Sequence, residues 1–200
     1  GKTRLVHEFS RAAAAAGLPV IAGYCQPVGE AVAYLPIIDA LRSALQLRDD
    51  FDFEELQRYA EERVLALDAG LANYLPHIFF LLTIPTRRHV LDRAIPEEIL
   101  HRQFHDALSM AFVALARRTP TVLVLDDWHW ADSASRRLVA NLLRTIADLP
   151  LLLLVMARPL PPDACLGLSE ASILELDTLT ASQAERVLAC VTQCETLPPG

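Results

Sequence analysis

Two aspartates, Asp126 and Asp127, follow the apolar run Val122–Leu125 in the stretch VLVLDD. Adjacent carboxylates behind apolar residues are costly to desolvate unless a cation or a reaction uses them. One could hold a Mg²⁺ ion, which takes one or two carboxylates and fills its other positions with water and phosphate oxygens. The neighbouring acid could orient or deprotonate a water. The competing reading is a solvated Asp-Asp turn leading into a helix capped by Asp132. Arg158 follows a second apolar run, LLLLVMA. Its planar guanidinium could meet a terminal phosphate; taken alone, it also reads as a surface arginine.

Gly1-Lys2-Thr3 is the third group. Lys2 is the one lysine in a chain with 17 arginines. A coding bias toward arginine explains the arginines but not the position of the surviving lysine, between a glycine and a threonine at the start of a helical pattern. In a G-x-x-x-x-G-K-[ST] loop, backbone N–H groups cradle phosphates, the lysine meets the β/γ oxygens and the hydroxyl binds Mg²⁺. The bare triplet is weak. Lysine and threonine at a helix start, an acid pair after a later strand and an arginine after the next occur in the order a P-loop ATPase needs. Gly1-Lys2-Thr3 is therefore read as the second half of a Walker A loop.

The elements that must position these groups follow from pattern. Thr3 to Ala16 reads as a helix stopped by Gly17, and 18–25 as a short buried strand. A loop over 27–36 is punctuated by Pro27, Gly29 and Pro36. From Ile37 to Arg118 the pattern is helical in several pieces. One is amphipathic over 53–67, one is interrupted by Gly70 and Pro76, and one is long, over 96–118, with Glu97 and Glu98 at its positive end and Arg117 and Arg118 at its negative end. Residues 121–126 form a second strand, 133–149 a helix that Ser133 could cap, and 150–157 a third strand. The alternation in 172–177 predicts a fourth strand at an edge, and 180–194 a helix opened by a capping pattern. Strands separated by helices give a parallel α/β sheet with helices on both faces. Ligands in such sheets sit at the carboxyl ends of the strands, where Asp126, Asp127 and Arg158 fall. Tyr24, Cys25 and Gln26 end the first strand on the same side and are candidate lining residues.

Composition narrows the classes. The chain has 200 residues, 52% apolar, and a net charge of −7. A packed core is accessible, and gripping of nucleic acid or an acidic membrane by this segment is disfavoured. Cys25, Cys165, Cys190 and Cys194 form no C-x-x-C pair and read as small buried hydrophobes in a reducing compartment. His101 and His105 share a helix face, yet no third ligand or H-E-x-x-H accompanies them. With no signal segment, and no apolar run of spanning length, the expected location is cytoplasmic. Trp128, His129 and Trp130 either pack the turn beneath the sheet edge or, through His129 or Trp130, relay nucleotide state to a neighbouring helix.

GKTRLVHEF, VLVLDDWHWADSASRRLVANLLR, LLLLVMARP and LELDTLTASQAERVL together resemble the STAND-type AAA-related ATPase modules. These modules are related to origin-recognition-like AAA ATPases and occur in bacterial signalling proteins fused to class III nucleotide cyclases or LuxR-type DNA-binding regulators. AYLPIIDALR is also familial, and LVLDDWHWAD is the most specific piece. The resemblance implies a P-loop NTPase core over 1–178, with a helical insertion over about 37–118 and the start of a helical lid over 179–200. It implies that Gly1, Lys2 and Thr3 bind the phosphates of ATP, that Thr3 and Asp126 hold Mg²⁺, that Asp127 polarises the attacking water and that Arg158 reads the γ-phosphate. It places the Arg158 strand between the P-loop strand and the Asp126 strand.

The departure from the family pattern is at the front, where the P-loop strand and the first five loop residues are absent. The expectation is a fragment or a mis-assigned start that binds ATP poorly and is itself inactive, whatever the intact parent does. The leading function is a slowly hydrolysing, ATP-driven switch in signalling or transcription regulation. Its sensor domain and its DNA-binding or cyclase output domain would lie outside this chain, and nucleotide-dependent self-association is open to it. The alternative is a degenerate, non-catalytic scaffold of the same fold.

Overall fold

The computed structural model describes residues 1–27, 33–48, 50–92, 94–158, 172–178, 180, 182–184, 186 and 187. Three strands, β1 (Val20–Tyr24), β2 (Thr121–Asp126) and β3 (Leu151–Val155), form a parallel sheet in the order β1-β2-β3. Val20 is opposite Val122 and Tyr24 opposite Asp126. Thr121 is opposite Leu151 and Leu125 opposite Val155. β2 is central and buried from Thr121 through Leu125, as its unbroken apolar run requires of a parallel strand covered on both faces.

The two faces of β2 go to different cores because successive side chains point to opposite sides. Val122 and Val124 meet Ala13 and Met156, with Val6 packed alongside. These contacts lay α1 (Lys2–Ala15) across one face. Leu123 and Leu125 join the larger core on the other face, with α2 (Leu35–Leu45), α5 (Glu97–Arg118) and α6 (Ser133–Ile146). The expected α/β architecture, a parallel sheet flanked by helices with a long helical stretch between its first two visible strands, is what the structure has.

That stretch runs from α2 through α3 (Phe53–Leu67), a 3₁₀ turn (Ala69–Tyr74) and α4 (Leu75–Leu81) to α5. Asp52 caps α3 by accepting from the Glu55 N–H at 2.9 Å. Pro76 sits in the first turn of α4, where its missing N–H costs nothing. α5 carries Glu97 and Glu98 in its first turn and Arg117 and Arg118 in its last.

α1 ends as Gly17 predicts. Gly17 has φ +81°, its N–H donates to Ala14 O, and the Leu18 N–H reaches back to Ala13 O, the paired bonds of a Schellman stop. Pro19 O then accepts from the Val122 N–H, so this end of α1 lies at the amino edge of the sheet. Val6 and Ala13 both touch the same face; α1 therefore runs back across the strands.

Two expectations need correction. Ser133 does not cap α6; Asp132 does, accepting from the Ser135 N–H at 2.8 Å. Residues 172–178 form no strand, and Ile173 and Leu174 are 79% and 74% exposed. Alternation makes a strand only where a neighbour takes up its backbone N–H and C=O groups, and this segment pairs with none of the described strands. Of the expected helix over 180–194, residues 182–184, 186 and 187 are helical and Thr180 precedes them without being helical, while 181, 185 and 188–194 lie outside the described residues. Its capping pattern is reciprocal: the Thr180 N–H donates to Gln183 Oε1 and the Gln183 N–H to Thr180 Oγ1. Among the described residues no helix is long and apolar enough to cross a membrane.

Candidate functional site

The carboxyl edge is built around the end of β2. Asp126 is half-buried, and one of its carboxylate oxygens accepts the Asp127 N–H at 2.7 Å. Asp127 is exposed and takes a left-handed backbone, φ 50°, which aspartate tolerates better than most side chains. That turn stops the strand and starts a 3₁₀ turn over Trp128–Trp130. Trp128 is fully buried, and its backbone N–H donates to Met156 O at 2.8 Å, while the Met156 backbone N–H donates to Leu125 O. The β2–β3 pairing thus continues past both strands, bringing Arg158 out, exposed, two residues beyond Met156 at this edge.

α6 closes the edge from below. Asp132 and Ser135 are buried, and Asp132 accepts from both the backbone N–H and the hydroxyl of Ser135. Arg136 donates to His129 O at 3.3 Å, and the His129 ring lies against Trp130, centroids 5.0 Å apart.

Cys25 reports the local field. Its N–H donates to Asp126 O, and its side chain is buried. Burial pushes its thiol up from 9.0 to about 12, and Asp132, Asp127 and Asp126 push in the same direction against Arg136. Three carboxylates therefore outweigh the one nearby guanidinium, and a cation at this edge would be stabilised.

Between pH 9.0 and 12 the folded chain holds the Cys25 proton that the unfolded chain releases. This contribution to stability is whole below pH 9 and is lost as pH rises toward 12. In a variant with Cys165, Cys190 and Cys194 as serine, a thiol reagent at pH 8 should modify native Cys25 at least about 100-fold more slowly than the denatured chain. Comparable rates would contradict the buried, acid-surrounded placement.

The structure brings Asp126, Asp127 and Arg158 to one edge of the sheet, and α1, which begins at Lys2, packs on a face of the same sheet through Val6 and Ala13. Gly1, Lys2 and Thr3 are exposed. Of the three residues ending β1, Tyr24 and Gln26 are exposed, whereas Cys25 is covered. His101 and His105 do not converge on a metal: His101 lies 3.5 Å from Glu97, and His105 pairs with Asn141 at 3.0 Å. Sequence reasoning missed Asp39, whose carboxyl is pushed up by burial and is held by the Tyr24 backbone and by Arg42. Its signal was present in IIDALR, a lone acid among apolar residues near the start of a helix.

The sequence model of the AAA ATPase domain family matches residues 1–155. The chain belongs to that family. This AAA ATPase domain is a P-loop module, and its membership implies nucleotide binding. It is also similar to an uncharacterised protein of Rhizobium meliloti (strain 1021), 40% identical over 60 residues, which are 30% of this chain and 6% of that protein. The chain thus matches only a small part of that relative's length. No solved structure matches it.

The donor set of this AAA ATPase domain fits a magnesium nucleotide. Asp126, Asp127 and the Thr3 hydroxyl are hard oxygen donors, as Mg²⁺ prefers. Among the described residues no group of three or more His, Cys, Asp or Glu side chains could hold a metal unaided. An ion here would complete its shell with phosphate and water, the habit of Mg²⁺ at nucleotide sites.

Proposed function

We propose that the domain is a Mg²⁺-dependent ATP switch, slowly hydrolysing, in a bacterial signalling or transcription-regulatory protein. What supports this reading is the Asp126-Asp127 pair and Arg158 at one negatively biased strand edge, together with the packing of α1, which begins at Lys2, on a face of the same sheet. Lys2 would meet the β/γ-phosphate oxygens, and the peptide N–H groups at the start of α1 would favour negative charge there. Thr3 and Asp126 would hold Mg²⁺, which supplies charge neutralisation on the phosphates. Asp127 would orient the attacking water, and Arg158 would contact the terminal phosphate. A slow hydrolysis step suits a module whose product is a conformational state; the lid expected over 179–200 lies mostly outside the described residues.

The test is a titration of a fluorescent ATP analogue into this chain and into the product of the whole gene, with and without Mg²⁺. Mg²⁺-dependent binding in the whole product is expected. Lys2→Ala should weaken it by about 10–100-fold, the scale of a lost charged hydrogen bond of about 1.5–3 kcal/mol. Absence of binding in either form would leave a non-catalytic scaffold of the same fold, with Asp126 and Asp127 a solvated turn.

A further inference from the structure

We infer that a second ligand site, for a small molecule bearing phosphate or carboxylate groups, lies in the helical stretch between β1 and β2, lined by none of the carboxyl-edge residues. A cleft of ≈540 Å³ there is lined by Phe53, Glu54, Arg58, Glu61, Arg87 and Arg88, among others. This volume lies within the range of about 300–1,000 Å³ typical of small-molecule pockets. Three guanidiniums meet in it on a chain whose net charge is −7.

The arginines come from two elements fixed relative to each other. Arg58 stands on α3, whose start is capped by Asp52. Arg87 and Arg88 stand on a turn ordered by Thr86, whose hydroxyl oxygen accepts from the Arg88 and His89 N–H groups, both at 3.1 Å. His89 anchors that turn: its ring sits edge-on to buried Phe79 with centroids 5.2 Å apart, and its Nε2 lies 3.2 Å from Glu61.

Of the two acids in the cleft, only Glu61 has an ion-pair partner among the described residues. Glu61 lies between Arg88, at 3.7 Å, and His89. Glu54 sits in the first turn of α3, where the helix end stabilises a negative charge. Arg58 and Arg87, by contrast, make no hydrogen bond or ion pair with any described residue. Two planar forks with no partner among the described residues, and one loosely held one, present the paired donors that phosphate and carboxylate oxygens accept. Phe53, 49% exposed, forms a wall beside them, and the ligand class is a compact anion bearing phosphate or carboxylate groups.

The inference does not depend on nucleotide binding, and its test separates the two. Isothermal titrations in EDTA would use inorganic pyrophosphate as the phosphate probe and citrate as the carboxylate probe. At least one should bind with a Kd below about 1 mM. The double variant Arg58→Gln/Arg87→Gln should weaken that binding at least about 10-fold, whereas Arg102→Gln, an exposed arginine on α5, and Lys2→Ala should leave it unchanged. Stronger binding of pyrophosphate or of citrate identifies which oxyanion the site takes. Absence of heat with both probes would overturn the site. So would an undiminished double variant, an equal loss in Arg102→Gln, or a loss in Lys2→Ala, which would assign the anion to the α1 terminus. Both altered arginines are exposed, and an unchanged Tm in the double variant would tie the loss to the cleft.

Discussion

Gly23→Ala is expected to destabilise the domain by more than about 3 kcal/mol, toward or beyond the upper end of overpacking costs. A Cβ at position 23 would lie 1.8 Å from Pro36 O and 2.7 Å from Pro36 C. The obstacle is backbone at the start of α2, and it cannot rotate away as a side chain would. Relief requires α2 to move off β1, and α2 carries Pro36, Ile37, Ala40, Leu41 and Leu45 into the core. With a total stability of about 5–15 kcal/mol for an ordinary domain, such a loss is a large fraction. For a chain of this size it corresponds to a Tm lower by about 10 °C.

Gly17→Ala is the matched comparison. Gly17 has φ +81° and open space where a methyl group would go, so alanine there meets only the left-handed backbone penalty of about 1–2 kcal/mol. Thermal unfolding of the two variants should rank Gly23→Ala well below Gly17→Ala. Equal shifts would mean that α2 does not press against β1 as described. Because Gly23 pairs with Leu125 next to Asp126, the same movement should also disturb the carboxyl edge.

The Gly23–Pro36 contact marks the boundary of what sequence reading reaches. β2 is legible because an unbroken apolar run followed by two acids has few other solutions, and α3 and α5 because their apolar spacing and terminal charges agree. The order of Lys2, Asp126, Asp127 and Arg158 along the chain is legible for the same reason: each follows or begins a patterned element. Gly23 reads only as part of a strand, since the backbone that excludes a side chain there arrives 13 residues later and from another element. The strand expected over 172–177 fails because alternation states which side chains could face inward, not whether a neighbouring ladder exists. Ser133 and Asp132 are both good caps by type, and only the bond from Ser135 distinguishes them. The arginine cleft is illegible because Arg58 and the Arg87-Arg88 pair lie on separate elements that only the folded helical stretch brings together.

Asp127→Asn is expected to lower ATP hydrolysis by the whole gene product about 100- to 10,000-fold, the range attributed to a positioned general base, with nucleotide affinity nearly unchanged. Asparagine is the informative replacement for two reasons. It keeps the shape and polar reach of the side chain while removing the charge. It also tolerates the left-handed backbone at φ 50° that the turn imposes on this position, whereas alanine would mix lost chemistry with strain. Asp126→Asn should behave differently. Its carboxylate is half-buried at the end of the central strand, and its proposed role is to hold Mg²⁺, so affinity should fall in the presence of Mg²⁺ and change little in EDTA. Single-turnover hydrolysis and Mg²⁺-dependent binding, measured on both variants, separate the roles. If Asp127→Asn hydrolyses like the unaltered protein, the acid beside Asp126 is a turn residue and the water must be oriented by another group. If both variants lose binding equally in EDTA, the pair acts through the fold of the Asp126–Asp132 turn and not through the ion.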